Sequence, residues 1–196
     1  MTTVADLNAG RTAVALRNLY LVRFAFAVIW AVLLFLAGGT PGPVRVALLV
    51  IYPLFDVAAA VVDLRSSRTA RPAAALYVNL ALSLLAAVGL AATAASGVPA
   101  ALRVWGAWAI TAGIVQLIVA VSRRRLGGQW AMIFSGGLSA VAGTAFVLQA
   151  GTPAASLTNL AGYATVGGVF FLISALRLRR TAKSTRVPAT AGTAGR

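Results

Sequence analysis

Arg123-Arg124-Arg125, an apolar run from Gln129 to Leu148, the turn Ala150-Gly151-Thr152-Pro153, a second apolar run from Leu157 to Leu176, and then Arg177, Arg179 and Arg180 form the stretch on which the fold turns. At 1.5 Å of rise per residue, about 20 apolar residues cover the hydrocarbon core of a bilayer, and each run has that length. The stretch reads as a membrane hairpin, held at its open end by arginine and closed by an uncharged turn.

Working outward, four further apolar segments precede it. They run from about Leu16 to Ala37, Val44 to Leu64, Ala73 to Ala95 and Ala100 to Val121. The expectation is an all-α, polytopic protein with six transmembrane helices in three pseudo-repeated hairpins, at about 16–64, 73–121 and 129–176, inside a membrane domain of 13–180. Residues 1–12 are read as a cytoplasmic tail. Residues 181–196, rich in Thr, Ala and Gly, read as a disordered basic tail whose cations lie on anionic lipid. An arginine-bearing start followed by Phe24–Leu36 also resembles a signal peptide, but removing that segment would break the repeat.

The totals agree with a lipid environment. Of 196 residues, 60% are hydrophobic and 10% charged, far from the mix of a water-soluble domain. A net charge of +14 would suit nucleic acid, yet the cations lie between apolar runs and form no basic face with stacking aromatics, so no nucleic acid partner is expected. Fourteen basic residues fall in the tails and the even-numbered loops, whereas Arg45 and Arg103 alone fall on the other side. Lys and Arg are retained inside during insertion, which places both termini in the cytoplasm. With no cysteine or histidine and three acids, Asp6, Asp56 and Asp63, thiol chemistry, imidazole bases and soft-metal sites are excluded. No cofactor, metal or catalytic set is expected, and the chain reads as no enzyme.

The three outer turns share a signature: Gly39-Thr40-Pro41, Gly97-Val98-Pro99 and Gly151-Thr152-Pro153, 58 and then 54 residues apart. Glycine suits the left-handed end of one helix and proline the first turn of the next, with threonine as N-cap in two cases. Small residues recur at four-residue spacing in the third and fifth segments: Asn79, Ser83, Ala87 and Ala91 in one, Ser135, Ser139 and Gly143 in the other. Such ladders let helices approach closely in lipid, either inside one bundle or across a homo-oligomer interface.

Polar residues inside the spans are the candidate site. Two antiparallel helices joined near residue 40 bring together positions equally far from the turn, and Arg23 and Asp56 are such positions. A lone intramembrane charge is costly, so pairing is expected. Asn79 and Gln116 are placed symmetrically about Gly97, and Ser135 and Ser174 about Pro153. These six residues either fix helix register or form a polar seam for a proton or small solute. Tyr20, Tyr77, Trp105 and Trp130, near segment ends, are expected in an interfacial belt, and Trp30, Tyr52, Trp108 and Tyr163 in the core.

Gly128-Gln129-Trp130, Gly137-Leu138, Thr152-Pro153, Gly167-Gly168 and Ser174-Ala175-Leu176 resemble the repeat unit of the HdeD acid-resistance membrane protein family. The resemblance is strongest over Arg123–Arg180. It implies a six-helix bacterial inner-membrane protein without catalytic activity, linked in some members to survival in acid. The first hairpin departs from the pattern: it lacks the glycines of the fifth and sixth helices and carries Arg23 and Asp56 instead. The alternative from a different class is a small channel or transporter using the polar seam between the hairpins.

Overall fold

A computed structural model describes residues 4–37, 42–66, 73–126 and 128–184. Six helices account for nearly all of them: α1 (Val4–Leu36), α2 (Pro43–Ser66), α3 (Ala73–Ala92), α4 (Gly97–Ser122), α5 (Gln129–Gln149) and α6 (Thr158–Ser184). Short 3-10 turns at Thr93–Ala95 and Arg124–Leu126 extend α3 and follow α4. No strand occurs among the described residues, and all six helices are long and apolar enough to cross a membrane.

The surface is apolar and the polar side chains lie inside. Phe35, Leu36, Leu85, Val88, Phe134, Val141 and Leu148 are each about two-thirds exposed or more, on all sides of the bundle. Asp63, Asn79, Ser83, Arg123, Gln129, Ser135 and Ser174 are buried. In water such a surface would drive aggregation; against lipid tails it costs nothing. The chain has the build of a multi-pass integral membrane protein.

The helices form a closed ring in chain order, with α6 returning to pack on α1. The tightest contacts are α4 on α5, α1 on α6, and α2 on α3, whereas α1 with α2 and α5 with α6, two of the three pairs joined by outer turns, pack most loosely. Glycine explains the first of these. A Cβ built on Gly106 would meet the Gly143 carbonyl oxygen at 2.6 Å, and one on Gly113 would meet the Gly136 oxygen at 2.7 Å, with Gly136 and Gly143 equally tight in return. Two glycines seven residues apart on each antiparallel helix therefore bring the backbones together, where van der Waals contact replaces the missing hydrophobic force. Of the small ladders, Asn79, Ser83 and Ala87 point inward, but Ala91 is exposed; a Cβ built on Gly137, outside the ladders, would meet nothing within 4 Å.

Three boundaries differ from the sequence reading. Residues 1–12 are not a tail throughout, because α1 begins at Val4; the stretch to Leu36 contains no proline and a single glycine, so nothing stops the helix from running beyond the membrane. At the other end α6 continues to Ser184, and residues 185–196 lie outside the described part. Thr152 does not cap α6. Its hydroxyl donates back to the Gln149 carbonyl at 2.9 Å, and it is the Thr158 amide that donates to Ser156 Oγ, at 3.2 Å, where α6 begins. The Gly39-Thr40-Pro41 turn lies outside the described residues. Gly97, at φ +78°, takes the left-handed conformation that its turn needs, with Pro99 in the first turn of α4.

Candidate functional site

The interior site is built on α2. Asp56 and Asp63 are seven residues apart, two helical turns, so both carboxylates lie on the inner face about 10 Å from one another along the axis. Each meets an arginine. Arg23 Nη1 of α1 lies 2.9 Å from Asp56 Oδ1, and Arg123 Nη1, at the C-terminus of α4, donates to Asp63 Oδ2 at 2.8 Å. The second pair is the more deeply enclosed, with the Arg123 side chain 2% and the Asp63 side chain 10% exposed.

Asp56 is the hub of a wider network. Its Oδ2 accepts from Asn79 Nδ2 at 2.6 Å and from Ser83 Oγ at 2.8 Å, both on α3. Ser83 Oγ in turn accepts the indole N–H of Trp108 on α4 at 3.0 Å. The Arg23 guanidinium also sits 5.2 Å from the ring centroid of Phe171 on α6, a cation–π contact. One carboxylate thus connects side chains of five helices, and the second oxygen that a single ion pair would leave open is satisfied by α3.

The remaining sequence candidates go elsewhere. Gln116 Nε2 donates to the Met132 carbonyl of α5 at 3.0 Å, and Ser174 Oγ to the Gly128 carbonyl at 3.0 Å. Asn79 and Gln116 therefore form no pair of their own, nor do Ser135 and Ser174. Ser135 is buried and lines a small void with Ser139 and Tyr163, whose hydroxyls are 2.9 Å apart. Equal distance from a turn places residues at one depth but does not turn them toward each other. The more loosely packed hairpins leave their polar groups free to bond to a different neighbour.

The Asp63–Arg123 pair escaped the sequence reading, which gave neither residue a partner; the i, i+7 spacing from Asp56 was the available signal. Two aromatic residues expected at the interface are inside. Trp105 is fully buried and Tyr20, 8% exposed, donates to Gln129 Oε1 at 3.4 Å. Tyr77 and Trp130 do face outward, each 62% exposed. Trp105 stacks on Trp30 at 5.3 Å between centroids, and Tyr52 and Trp108 close around them at 4.6 to 6.0 Å. These four rings fill the interior on the side of Asp56 away from the arginine-rich end.

Two small voids flank the Arg23–Asp56 pair. The first, about 90 Å³, extends toward the arginine-rich end and is lined by Tyr20, Asn79, Asp63, Arg123 and Gln129. The second, about 70 Å³, extends toward the aromatic layer, past Gln116, Ser135 and Tyr163 to Tyr52 and Trp108. Among the described residues no group of three or more His, Cys, Asp or Glu could hold a metal.

Set beside family models, curated proteins and solved structures, the chain matches none of them. The reading of the site therefore rests on its own chemistry.

Proposed function

We propose that this chain is a non-catalytic protein of the bacterial inner membrane, HdeD-like in kind, with both termini in the cytoplasm and a role in envelope integrity under acid stress. The observation that carries the proposal is the buried network centred on Asp56, joining α1, α2, α3 and α4 through Arg23, Asn79, Ser83 and Trp108. Every polar atom that Asp56 presents is engaged with protein. Beyond it Trp30, Tyr52, Trp105 and Trp108 occupy the space that a route to the opposite face would need. A polar level that is satisfied internally and covered by aromatic rings acts as a lock on helix positions.

The acid connection follows from the same hub. A proton gained by Asp56 removes the charge opposite Arg23, and a buried guanidinium without its counter-ion is strongly unfavourable. The basic residues on the side of the termini support the assigned orientation, and the residues shared with the HdeD repeat support the stress role. The two voids beside Arg23 and Asp56 favour a second reading, a small channel or transporter.

One variant separates the two. Asp56→Asn keeps the shape and removes the charge. On the leading reading it lowers survival in acid without changing the proton permeability of vesicles containing the protein. Unchanged survival would remove the stress role. Changed flux, reproduced by Asn79→Leu or Gln116→Leu, would favour the pathway.

A further inference from the structure

A larger cavity, about 650 Å³, lies at the end of the bundle away from the arginine clusters, and no member of the Asp56 network lines it. It opens between the start of α2, the end of α3 and the start of α4. Volumes of about 300 to 1,000 Å³ are those of small-molecule sites, whose walls are mostly apolar with a few placed polar groups. This cavity has that composition. Val46, Leu49 and Val50 of α2, Val98 and Ala101 of α4, and Leu157 before α6 supply apolar wall, and among the described lining residues Arg45 and Thr93 alone have polar side chains. The Thr93 hydroxyl already donates to the Leu90 carbonyl at 2.7 Å, which leaves Arg45 as the group that would recognise a ligand.

Arg45 stands on the side where the sequence places few cations. Unlike Arg103 at the same end, which is exposed, it is only 6% exposed. A guanidinium drawn into an apolar wall loses hydration, and negative charge beside it offsets that loss. The aspartates of the chain are too far away to supply it. Asp56 and Asp63 follow Arg45 on α2, about 16 and 27 Å along the axis, and Asp6 lies near the start of α1, at the opposite end of the bundle. The outer connections, residues 37–44, 93–102 and 150–157, contain no charged residue. Arg45 keeps an interaction within the chain. Its five N–H donors let it do so and still present a pair of them to a phosphate.

The order of these groups along the bundle fits one kind of ligand. Arg45 is the third residue of α2, in its first turn, where a span meets the head groups, and its Cα–Cβ bond tilts toward that end as in any α-helix. The apolar wall continues inward to Val50, about 7.5 Å deeper. Anion at the rim and hydrocarbon beneath it is the build of a phospholipid, whereas a small soluble anion would leave the apolar part unfilled. We propose that this cavity is a binding site for one membrane phospholipid, its phosphate held by Arg45 and part of an acyl chain lying against Leu49, Val50, Ala101 and Leu157. The site shares no residue with the Asp56 network and so goes beyond the stress role.

The test melts the full-length protein in mild detergent with one of three additives. These are dioleoyl phosphatidylglycerol, dioleoylglycerol, which has the chains without the phosphate, and glycerol phosphate, which has the phosphate without the chains. A ligand that binds the folded state raises the melting temperature. The phospholipid should raise that of wild type by a few degrees, and the other two should leave it unchanged. Arg45→Gln should abolish the rise, and Arg103→Gln, at the exposed arginine of the same end, should keep it. No rise with phospholipid, an equal rise with dioleoylglycerol, or a rise with glycerol phosphate would each overturn the proposal on wild type alone. A rise that persists in Arg45→Gln, or is lost in Arg103→Gln, would overturn it too, because the lipid would then be held elsewhere. Acid survival does not enter this readout, so its failure leaves the stress role untouched, and loss of the stress role leaves this result standing.

Discussion

At the scale of the residue, the question is what an ion pair between helices contributes. Arg23 and Asp56 are 18% and 13% exposed at the side chain, so both have given up most of their water. Coulomb attraction roughly offsets that loss, and the larger quantity is the cost of breaking the pair on one side only. Asp56→Leu would leave a guanidinium facing apolar groups and is expected to cost about 3 to 5 kcal/mol. Arg23→Met added to it should return most of that stability, because two apolar side chains of similar volume avoid the desolvation altogether. Asn79 and Ser83 lose their acceptor in either case, so recovery will be partial. Unfolding of the purified variants by denaturant in detergent measures this, and a double variant less stable than both singles would refute the pairing argument. Arg23 and Asp56 were visible in the sequence as charges equally distant from one turn. Asn79 and Ser83 were visible as a polar stripe on α3, but that this stripe faces Asp56 depends on how α2 packs on α3, which no spacing within one hairpin reports.

At the scale of the element, glycine decides which helices touch. Six apolar spans were legible because bilayer thickness and arginine placement impose them directly on composition, whereas the outer reaches of α1 and α6 were not. The partners of the spans were less legible. Gly143 was marked by its place in a ladder of small residues, yet its partner Gly106 and the second pair, Gly113 with Gly136, follow a seven-residue spacing on two helices at once. Gly137, in the same helix, faces open space. Gly143→Ala is therefore expected to force a Cβ to 2.6 Å from the Gly106 carbonyl oxygen, a backbone atom that cannot turn aside. Overpacking of this kind costs about 1 to 3 kcal/mol. Gly137→Ala, with nothing within 4 Å, should be neutral or slightly stabilising, since alanine is the better helix former. The same unfolding measurement compares the two. If both substitutions cost the same, close backbone approach is not what joins α4 to α5.

At the scale of the whole molecule, the ring is closed by its two ends. Six spans strung in order could stand in a row, or could exchange partners with a second copy through their small-residue faces, and the apolar pattern of the sequence cannot distinguish these arrangements from a circle. Contact between α1 and α6, among the tightest in the molecule, chooses the circle. It also lets Arg23 of α1 meet Asp56 of α2 and Phe171 of the last helix at the same time. The contact is close at Ala27 and Gly168, where a Cβ placed on the glycine would lie 3.2 Å from that of the alanine. Cβ atoms joined by a disulfide are about 3.5 to 4.5 Å apart, so a small shift makes the bond possible. The chain contains no cysteine, which leaves the pair Ala27→Cys with Gly168→Cys as the sole thiols available. Mild oxidation in membranes should then produce a monomer that migrates faster on a non-reducing gel and returns to its original position on reduction. A ladder of dimers in its place would mean that α6 packs on the α1 of a neighbouring chain, and the polar interior would then be shared between two copies.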